Sequence, residues 1–541
     1  MDRHRARLAP AWAPWVLAAG PVVFVALFFV LPVAAIVARG FEPSAIADVL
    51  GSSRVRGVLW FTVWQAALCS VLAMLIGLAP AYVLSRYRVP GRRTVLALVT
   101  VPFVLPTVVV GSAFLTVLPG SWRRSVLAMV IAHVWVNLAV VIRTVGASVA
   151  QLDPALGDAA ATLGAGPWRT MRHVTLPLLR PAIAASGSIV FLFCLTSFGI
   201  ARLLGGPTRP TLEVEIWRVT TQRLDLRTAS VLALVQLVVV LALMGAWTAV
   251  QARSSRMHSM RTVQHLRNAR THRGRMLVIA VAALTAIIAI TPLLVLAVRS
   301  LRTGAQQWSL DAWRTVFGRP AGSVPGTAPN DTAPWESLIT SLRIAAVATV
   351  IAVVIGTLAA CAIALARRGS GLLDTGLMLP LGTSAVTVGF GLLITFDRAP
   401  MDLRGSWVML PLGQALVAMP FVVRVVLPTL RAIDPGLREA AATLGAPPRR
   451  VWREVDLPVL RRAIGVACGF ALAMSLGEFG ATSFLTRVGN ETAPIVIARL
   501  LSRPSQLNLA TSSALATLLA GATLAVMLVI DRLRGERGVS F

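Results

Sequence analysis

Three stretches of this chain leave it little choice of fold. Ala11–Ala38, Thr228–Ala252 and Met276–Val298 contain no charged side chain. Each is long enough to cross a hydrocarbon core of about 30 Å as a helix, which takes ~20 residues. Composition agrees: 56% of the residues are hydrophobic and 13% charged, about half the charged share of an ordinary soluble domain. The mean hydropathy is +0.76. The expected class is all-α and polytopic in a membrane.

The net charge of +29 raises the question of nucleic acid, but its placement argues for topology. Arginines gather at the ends of apolar segments, at Arg3, Arg5 and Arg7, at Arg86, Arg88, Arg92 and Arg93, and at Arg367 and Arg368. That pattern orients spans, and no stacking aromatics accompany it. Nucleic acid is therefore not an expected partner. The 541 residues include no lysine, so the GxxxxGK[ST] loop that cradles nucleotide phosphates is absent. If ATP drives this protein, another subunit hydrolyses it. Cys69, Cys194, Cys361 and Cys468 fall in apolar segments, without CxxC pairs or metal-ligand spacing, and read as small buried hydrophobes. No metal or cofactor is expected. The basic N-terminus followed by an apolar run resembles a signal peptide, but the run exceeds a 7–15-residue signal core and reads as a retained anchor.

A pass guided by charge places about twelve spans. The first six lie near 12–38, 57–84, 94–118, 125–148, 182–204 and 228–251. The second six lie near 276–298, 338–366, 371–396, 406–428, 463–485 and 509–530. Residues 252–275 hold seven arginines and no acid, which places them in the cytoplasm. The N-terminal arginines place that end there too, so the first half holds an even number of spans and both termini are expected inside. The expected division is a first transmembrane domain at 1–251, a basic linker at 252–275 and a second transmembrane domain at 276–541. Segments 205–227, 300–335 and 486–508 would then face outside, the first as a short surface helix and the second as a Pro/Gly-rich loop.

An even count makes the halves parallel repeats, and the sequence carries the repeat openly. Residues 153–183 and 434–464, offset by 281, are identical at 20 of 31 positions. Arg143 and Arg424 keep the same offset, as do Phe198-Gly199 and Phe479-Gly480. Such self-similarity suggests a duplicated and fused unit. Each copy of the repeated phrase opens with Asp-Pro, a good helix cap followed by proline at the first helical position. An alanine-rich turn follows, ending at Gly164 or Gly445, where glycine can close a helix in the left-handed conformation. Leu-Pro then marks the next membrane entry. The spelling predicts a short helix, a tight turn and a second short helix at the membrane surface. Small side chains there would let a partner backbone approach closely.

The phrase resembles the EAA loop of binding-protein-dependent ABC importer permeases, whose pattern is Glu-Ala-Ala, three residues, Gly, nine residues and Ile-x-Leu-Pro. The second copy matches with Glu439, Ala440, Ala441, Gly445, Val455, Leu457 and Pro458. The first matches with Asp158, Ala159, Ala160, Gly164, Val174, Leu176 and Pro177. Asp replaces Glu in the first copy, and Val replaces Ile in both. The resemblance implies a type I importer fold of two parallel six-helix domains, with the loops as coupling helices. It further implies two copies of an ATPase subunit on the cytoplasmic face, an extracytoplasmic binding protein, a prokaryotic inner membrane, and a permease that is not itself an enzyme. SFGIARLLGGPTRPTLEVEIWR and SLGEFGATSF resemble the fused permeases for thiamine and for ferric iron, and both substrates stay open. The alternative is a secondary transporter with two parallel six-helix repeats.

Ionisable or polar groups inside spans are candidates for a pathway. Ser197, Glu478 and Asn137 are the candidate pathway residues, with His133 beside them in the sequence pattern. Glu478 could equally be a structural bond between helices. Arg143 and Arg424 lie near the cytoplasmic ends of their spans, where snorkelling or interhelical bonding accounts for them.

Overall fold

The computed structural model describes residues 12–206, 208–254, 266–269, 271–302, 307–318, 333–366, 369–397, 402–403, 405–487, 489–503 and 505–534. The clusters at Arg3, Arg5 and Arg7 and at Arg367 and Arg368 lie outside the described residues, as do most of the linker between 255 and 265 and the loop 319–332. The protein is helical, and an isolated bridge between extended segments joins Tyr87 to Arg267.

Ten helices among the described residues are long and apolar enough to span a membrane. They are Ala13–Gly40, Ser53–Arg86, Val126–Gln151, Pro167–Leu195, Leu226–Gly245, His272–Ser300, Pro334–Leu365, Met409–Ala432, Arg449–Gly477 and Gln506–Ile530. Two further pairs, Arg92–Val104 with Thr107–Val117 and Ser370–Gly382 with Ala385–Thr395, are bent by 103° and 94°. Counting each pair as one span brings the number to twelve. Single continuous helices were the expectation for 94–118 and 371–396; both are broken. In the first, Leu105 precedes Pro106, and a residue before proline is pushed out of the helical region; its ψ is 144°. In the second, Thr383 and Ser384 are extended, and the Ser384 hydroxyl accepts a hydrogen bond from the Val386 N–H to start the next helix.

A local device recurs at three Leu-Pro dipeptides, Leu31-Pro32, Leu176-Pro177 and Leu457-Pro458. Each is preceded by one π turn, at Ala26–Val30, Met171–Thr175 and Trp452–Asp456. A proline inside a helix lacks an N–H and crowds the carbonyl four residues back, and widening the preceding turn lets the helix continue past it. The helix therefore does not stop at the membrane entry. The fifth span of each half runs continuously from Pro167 and from Arg449, so the second short surface helix expected from sequence is the first part of a spanning helix.

The chain sorts into two compact units, and neither follows one half of the sequence. One comprises Ala47–Glu215 and Val238–Arg302; the other comprises the chain up to Ile46, Ile216–Leu237 and the chain from Thr303 onward. Within the first unit, His272–Ser300 lies against Arg92–Val104 and Thr107–Val117, and the Trp135 indole donates to the Ile288 carbonyl at 2.7 Å. Within the second, Ala13–Gly40 packs on Pro334–Leu365 and Ala385–Thr395. Arg39 donates there to the Ile394 carbonyl at 2.9 Å. Each unit thus contains the leading helix of the other half of the sequence.

Inside both units the same contacts recur. Leu212 N–H donates to the Thr62 hydroxyl at 2.9 Å, and Ala493 N–H to the Ser341 hydroxyl at 2.8 Å. The helix Leu212–Thr221 forms where a surface helix was expected, yet it is buried, with Glu215 held by Arg54 at 3.0 Å. The loop expected at 300–335 includes a helix, Asp311–Gly318, whose Ala312 and Val316 pack on Ala510 and Ala514. Gly77 lies against Val141 and Gly356 against Val422, where a Cβ would come within 2.7 and 2.8 Å of the valine side chains. Small residues at such crossings let helices in lipid approach closely. Gly77→Leu and Gly356→Leu should each destabilise the chain by about 1–3 kcal/mol through overpacking, read as a lower thermal unfolding midpoint in detergent. Gly20→Leu, where nothing lies within 4 Å, should leave the midpoint unchanged.

Candidate coupling site

The two copies of the repeated phrase fold alike, down to single hydrogen bonds. Each follows a long helix that ends two residues before its Asp. Asp153 caps the helix Pro154–Thr162 by accepting from the Ala155 N–H at 2.8 Å, and Asp434 caps Pro435–Thr443 by accepting from the Gly436 N–H at 2.9 Å. A cap of this kind satisfies one of the donors that the first helical turn leaves open. The alanines that follow have high helix propensity and little bulk. Both helices end in the same double closure. Ala165 N–H donates to the Ala160 carbonyl and Gly164 N–H to the Ala161 carbonyl, matched by Ala446 to Ala441 and Gly445 to Ala442. The closure requires a left-handed residue, and Gly164 and Gly445 both have φ of +79°.

This geometry turns one apolar side chain outward at the same place in each copy. Leu163 and Leu444, immediately before the glycines, are each 88% exposed. Leu156 and Leu437, one helical face earlier, are exposed as well, and so is Trp168. A single exposed leucine is ordinary; a repeated one beside an alanine-rich helix forms a small apolar knob. The residues singled out from sequence surround it. Asp158, Ala159, Gly164, Glu439, Ala440 and Gly445 are exposed, and Ala160 and Ala441 are half-buried. Sequence reasoning did not pick out Leu163 and Leu444, although their identity at the 281 offset was visible. Exposure, not spelling, distinguishes them from the buried leucines of the long helices.

The copies differ in what holds them. Asp158 is paired at 2.6 Å with Arg267, a described residue of the basic linker. Arg267 is also bound through its backbone, its N–H donating to the Arg86 carbonyl and its carbonyl accepting from Arg88. These contacts help to enclose a cavity of about 620 Å³ under the first loop, lined among others by Tyr82, Arg86, Asp153, Asp158 and Arg267. Glu439 makes no ion pair among the described residues. In its loop Arg438 instead reaches Asp456 at 2.7 Å, a pair for which the first copy has Gly157 and Thr175.

The candidate pathway residues are built into the protein in different ways. Glu478 is buried, and its carboxylate accepts from the N–H groups of Ala481 and Thr482, each at 2.8 Å, and from the Thr482 hydroxyl. It starts a short helix, Thr482–Leu485, and each bond is charge-assisted. Ser197, at the matching position, precedes the helix Phe198–Leu204 without a side-chain cap bond. Asn137 is buried, donating to the His133 carbonyl at 2.8 Å. Ser197 and Asn137 belong to one compact unit and Glu478 to the other. Arg143 makes an interhelical bond to the Thr100 hydroxyl at 2.9 Å, and Arg424 is exposed.

Comparison with known proteins bears on the same residues. The family model for the binding-protein-dependent transport system inner membrane component matches twice, over residues 73–257 and 352–535, each match enclosing one loop. The chain is 26% identical over 527 residues to a probable ABC transporter permease protein, y4fN, of Sinorhizobium fredii, covering 90% of each chain. It is 26% identical over 525 residues to the thiamine transport system permease protein ThiP of Brucella abortus, covering 93% of this chain and 91% of that one. The sulfate transport system permease protein CysT of Escherichia coli is 30% identical over 249 residues, 43% of this chain and 90% of its own. With two copies of the family domain and the membrane helices that they require, the chain belongs to the binding-protein-dependent family of inner-membrane permeases and is a fused, two-domain ABC importer permease.

Proposed function

We propose that the loops around Leu163 and Leu444 are docking sites for two copies of a separate ATPase subunit on the cytoplasmic face, both termini lying on that side. The chain then supplies both halves of the transmembrane pathway by itself. The observation that carries this reading is the repeated knob: two capped helices closed by the same hydrogen bonds, each presenting the same leucine to the outside. A leucine that is costly to leave in water gains ~1.5–3 kcal/mol when a partner groove buries it. The flanking Ala159, Ala160, Ala440 and Ala441 leave room for a partner backbone. The acids Asp158 and Glu439 lie on the same short helices and add charge complementarity toward a basic groove. Nucleotide binding by the docked ATPases can shift the permease between states only by the difference in affinity for the two. A shift from 1:99 to 99:1 takes about 5.5 kcal/mol, within reach of two anchored contacts.

The substrate proposed is thiamine or a close relative, delivered by an extracytoplasmic binding protein. Full-length similarity to a thiamine permease supports it. Ser197, Asn137 and Glu478 are proposed to lie near the pathway, with Glu478 shaping it through the helix that it caps.

Two measurements test the reading. Reconstituted with its ATPase and binding protein, the chain should take up labelled thiamine only when ATP is present on the ATPase side. Uptake that persists without ATPase and follows an ion gradient would establish a secondary transporter instead, and uptake of ferric iron without thiamine would replace the substrate. Leu163→Ala and Leu444→Ala should each weaken ATPase copurification about tenfold, as loss of ~1.4 kcal/mol or more implies. Because both side chains are exposed, the unfolding midpoint of the isolated permease should stay put. Wild-type affinity in the double variant would end the docking proposal.

A further inference from the structure

Sequence spacing hides a cluster that the fold assembles. Cys69 lies in Ser53–Arg86, His133 in Val126–Gln151 and Cys194 in Pro167–Leu195, and all three side chains are buried. Their ligand atoms lie within 4.8 Å of one another, with Cys69 Sγ 3.9 Å from His133 Nδ1. Two thiolates and one imidazole around zinc stand about 3.5–3.8 Å apart when the bonds are 2.0–2.3 Å long. The free cluster is therefore at most roughly 1.3 Å wider than a zinc centre of the same ligands.

The surrounding polar groups point the same way. His133 Nε2 and Asn137 Oδ1 are buried and have no hydrogen-bond partner among the described residues. Buried polar atoms are seldom left unpaired, and both belong to side chains that reach the cysteines through their other polar atom. The Asn137 amide nitrogen lies 3.5 Å from Cys194 Sγ, and its hydrogen bond to the His133 carbonyl at 2.8 Å sets that orientation. On the opposite side Gln65 Oε1 is 3.8 Å from Cys69 Sγ.

The other half of the chain provides an internal control. The matching contacts Thr62 to Leu212 and Ser341 to Ala493 align the second helix of each half, placing Ala348 where Cys69 stands. Gly77 on Val141 and Gly356 on Val422 align the same helices with their neighbours. Gln414 then takes the place of His133 and Ser475 that of Cys194. Ala348, Gln414 and Ser475 are buried too, so this helix packing stands without a Cys–His–Cys set.

We propose that Cys69, His133 and Cys194 form a binding site for a thiophilic divalent cation of the zinc class, which ties three helices of the first half together. Soft thiolate ligands with an imidazole select such an ion. Binding requires both thiols to ionise, so two protons leave as the ion enters. The two thiolate charges then cancel the divalent charge, which suits an apolar interior where net charge is costly. Monovalent copper with the same two thiolates would leave a buried negative charge.

The test uses the full-length chain, purified in detergent under reducing conditions and incubated with zinc before desalting. Elemental analysis should find zinc equimolar with protein. Cobalt in its place should give thiolate-to-cobalt charge-transfer absorption with the visible bands of a tetrahedral ion. The triple variant Cys69→Ala, His133→Gln and Cys194→Ser, which installs the residues of the second half, should lose about tenfold or more of the bound zinc and all of the cobalt bands. Cys194→Ser alone should lose the cobalt bands in part, which keeps a readout if the triple variant fails to fold. No zinc and no cobalt bands in the wild type would overturn the proposal. So would unchanged zinc in a folded triple variant, binding of monovalent copper alone, or recovery of Cys69 and Cys194 as a disulfide from fresh membranes.

Discussion

The constraint on which the rest depends is that lipid offers no hydrogen bonds to a polypeptide backbone. Every N–H and C=O within the hydrocarbon must find a partner in the chain, and the helices follow from that. The departures are informative because each is repaired locally. Leu-Pro dipeptides are preceded by a widened turn that lets a helix pass the missing donor. The break at Thr383-Ser384 is restarted by the Ser384 hydroxyl, and the end of Leu457–Gly477 leads to Glu478, whose carboxylate takes up the N–H groups of Ala481 and Thr482. Non-helical backbone at membrane depth is tolerated where side chains satisfy it.

The same rule explains the shape of the two repeated loops. A short helix outside the span must close its own ends, and Asp-Pro at one end and glycine at the other do so twice with the same bonds. Closing the backbone internally leaves the side chains free for a partner, which is why a leucine can stand 88% exposed at each tip. The ion pairs around the loops are secondary. Asp158 with Arg267 is half-exposed, and pairs of that kind contribute ~0–1 kcal/mol. Among the described residues, the pair places Arg267, from the segment 252–275, against the first loop.

Much of this was legible in the residues alone. Uncharged runs mark spans, a constant offset marks the duplication, and Asp-Pro and Gly mark the ends of the loop helices, because those signals are local and their physics is local. The failures share a cause. Hydropathy averages over a window and cannot see the breaks at Leu105-Pro106 and Thr383-Ser384, nor that Leu212–Thr221 is buried instead of lying on the surface. Nor could it separate the exposed Leu163 from the buried leucines of the long helices, since the difference is what each one packs against. The cysteines were read as separate hydrophobes because 69, 133 and 194 have no ligand spacing; three helices bring them together.

The sequence by itself determined the class of the protein, the number of apolar segments that can span, the duplication and the conformation of each repeated loop. Each depends on a few consecutive residues and on transfer from water to lipid, which is nearly additive along a chain. Tertiary structure decided which helix joins which unit, so that Ala13–Gly40 packs with the second half and His272–Ser300 with the first. It also decided which polar groups meet and which apolar ones stay exposed. Those outcomes depend on shape at contacts such as Gly391 against Pro32 and Ile36, where a missing Cβ admits a particular neighbour. Complementarity of that kind belongs to pairs of surfaces distant in sequence, and no single segment encodes it.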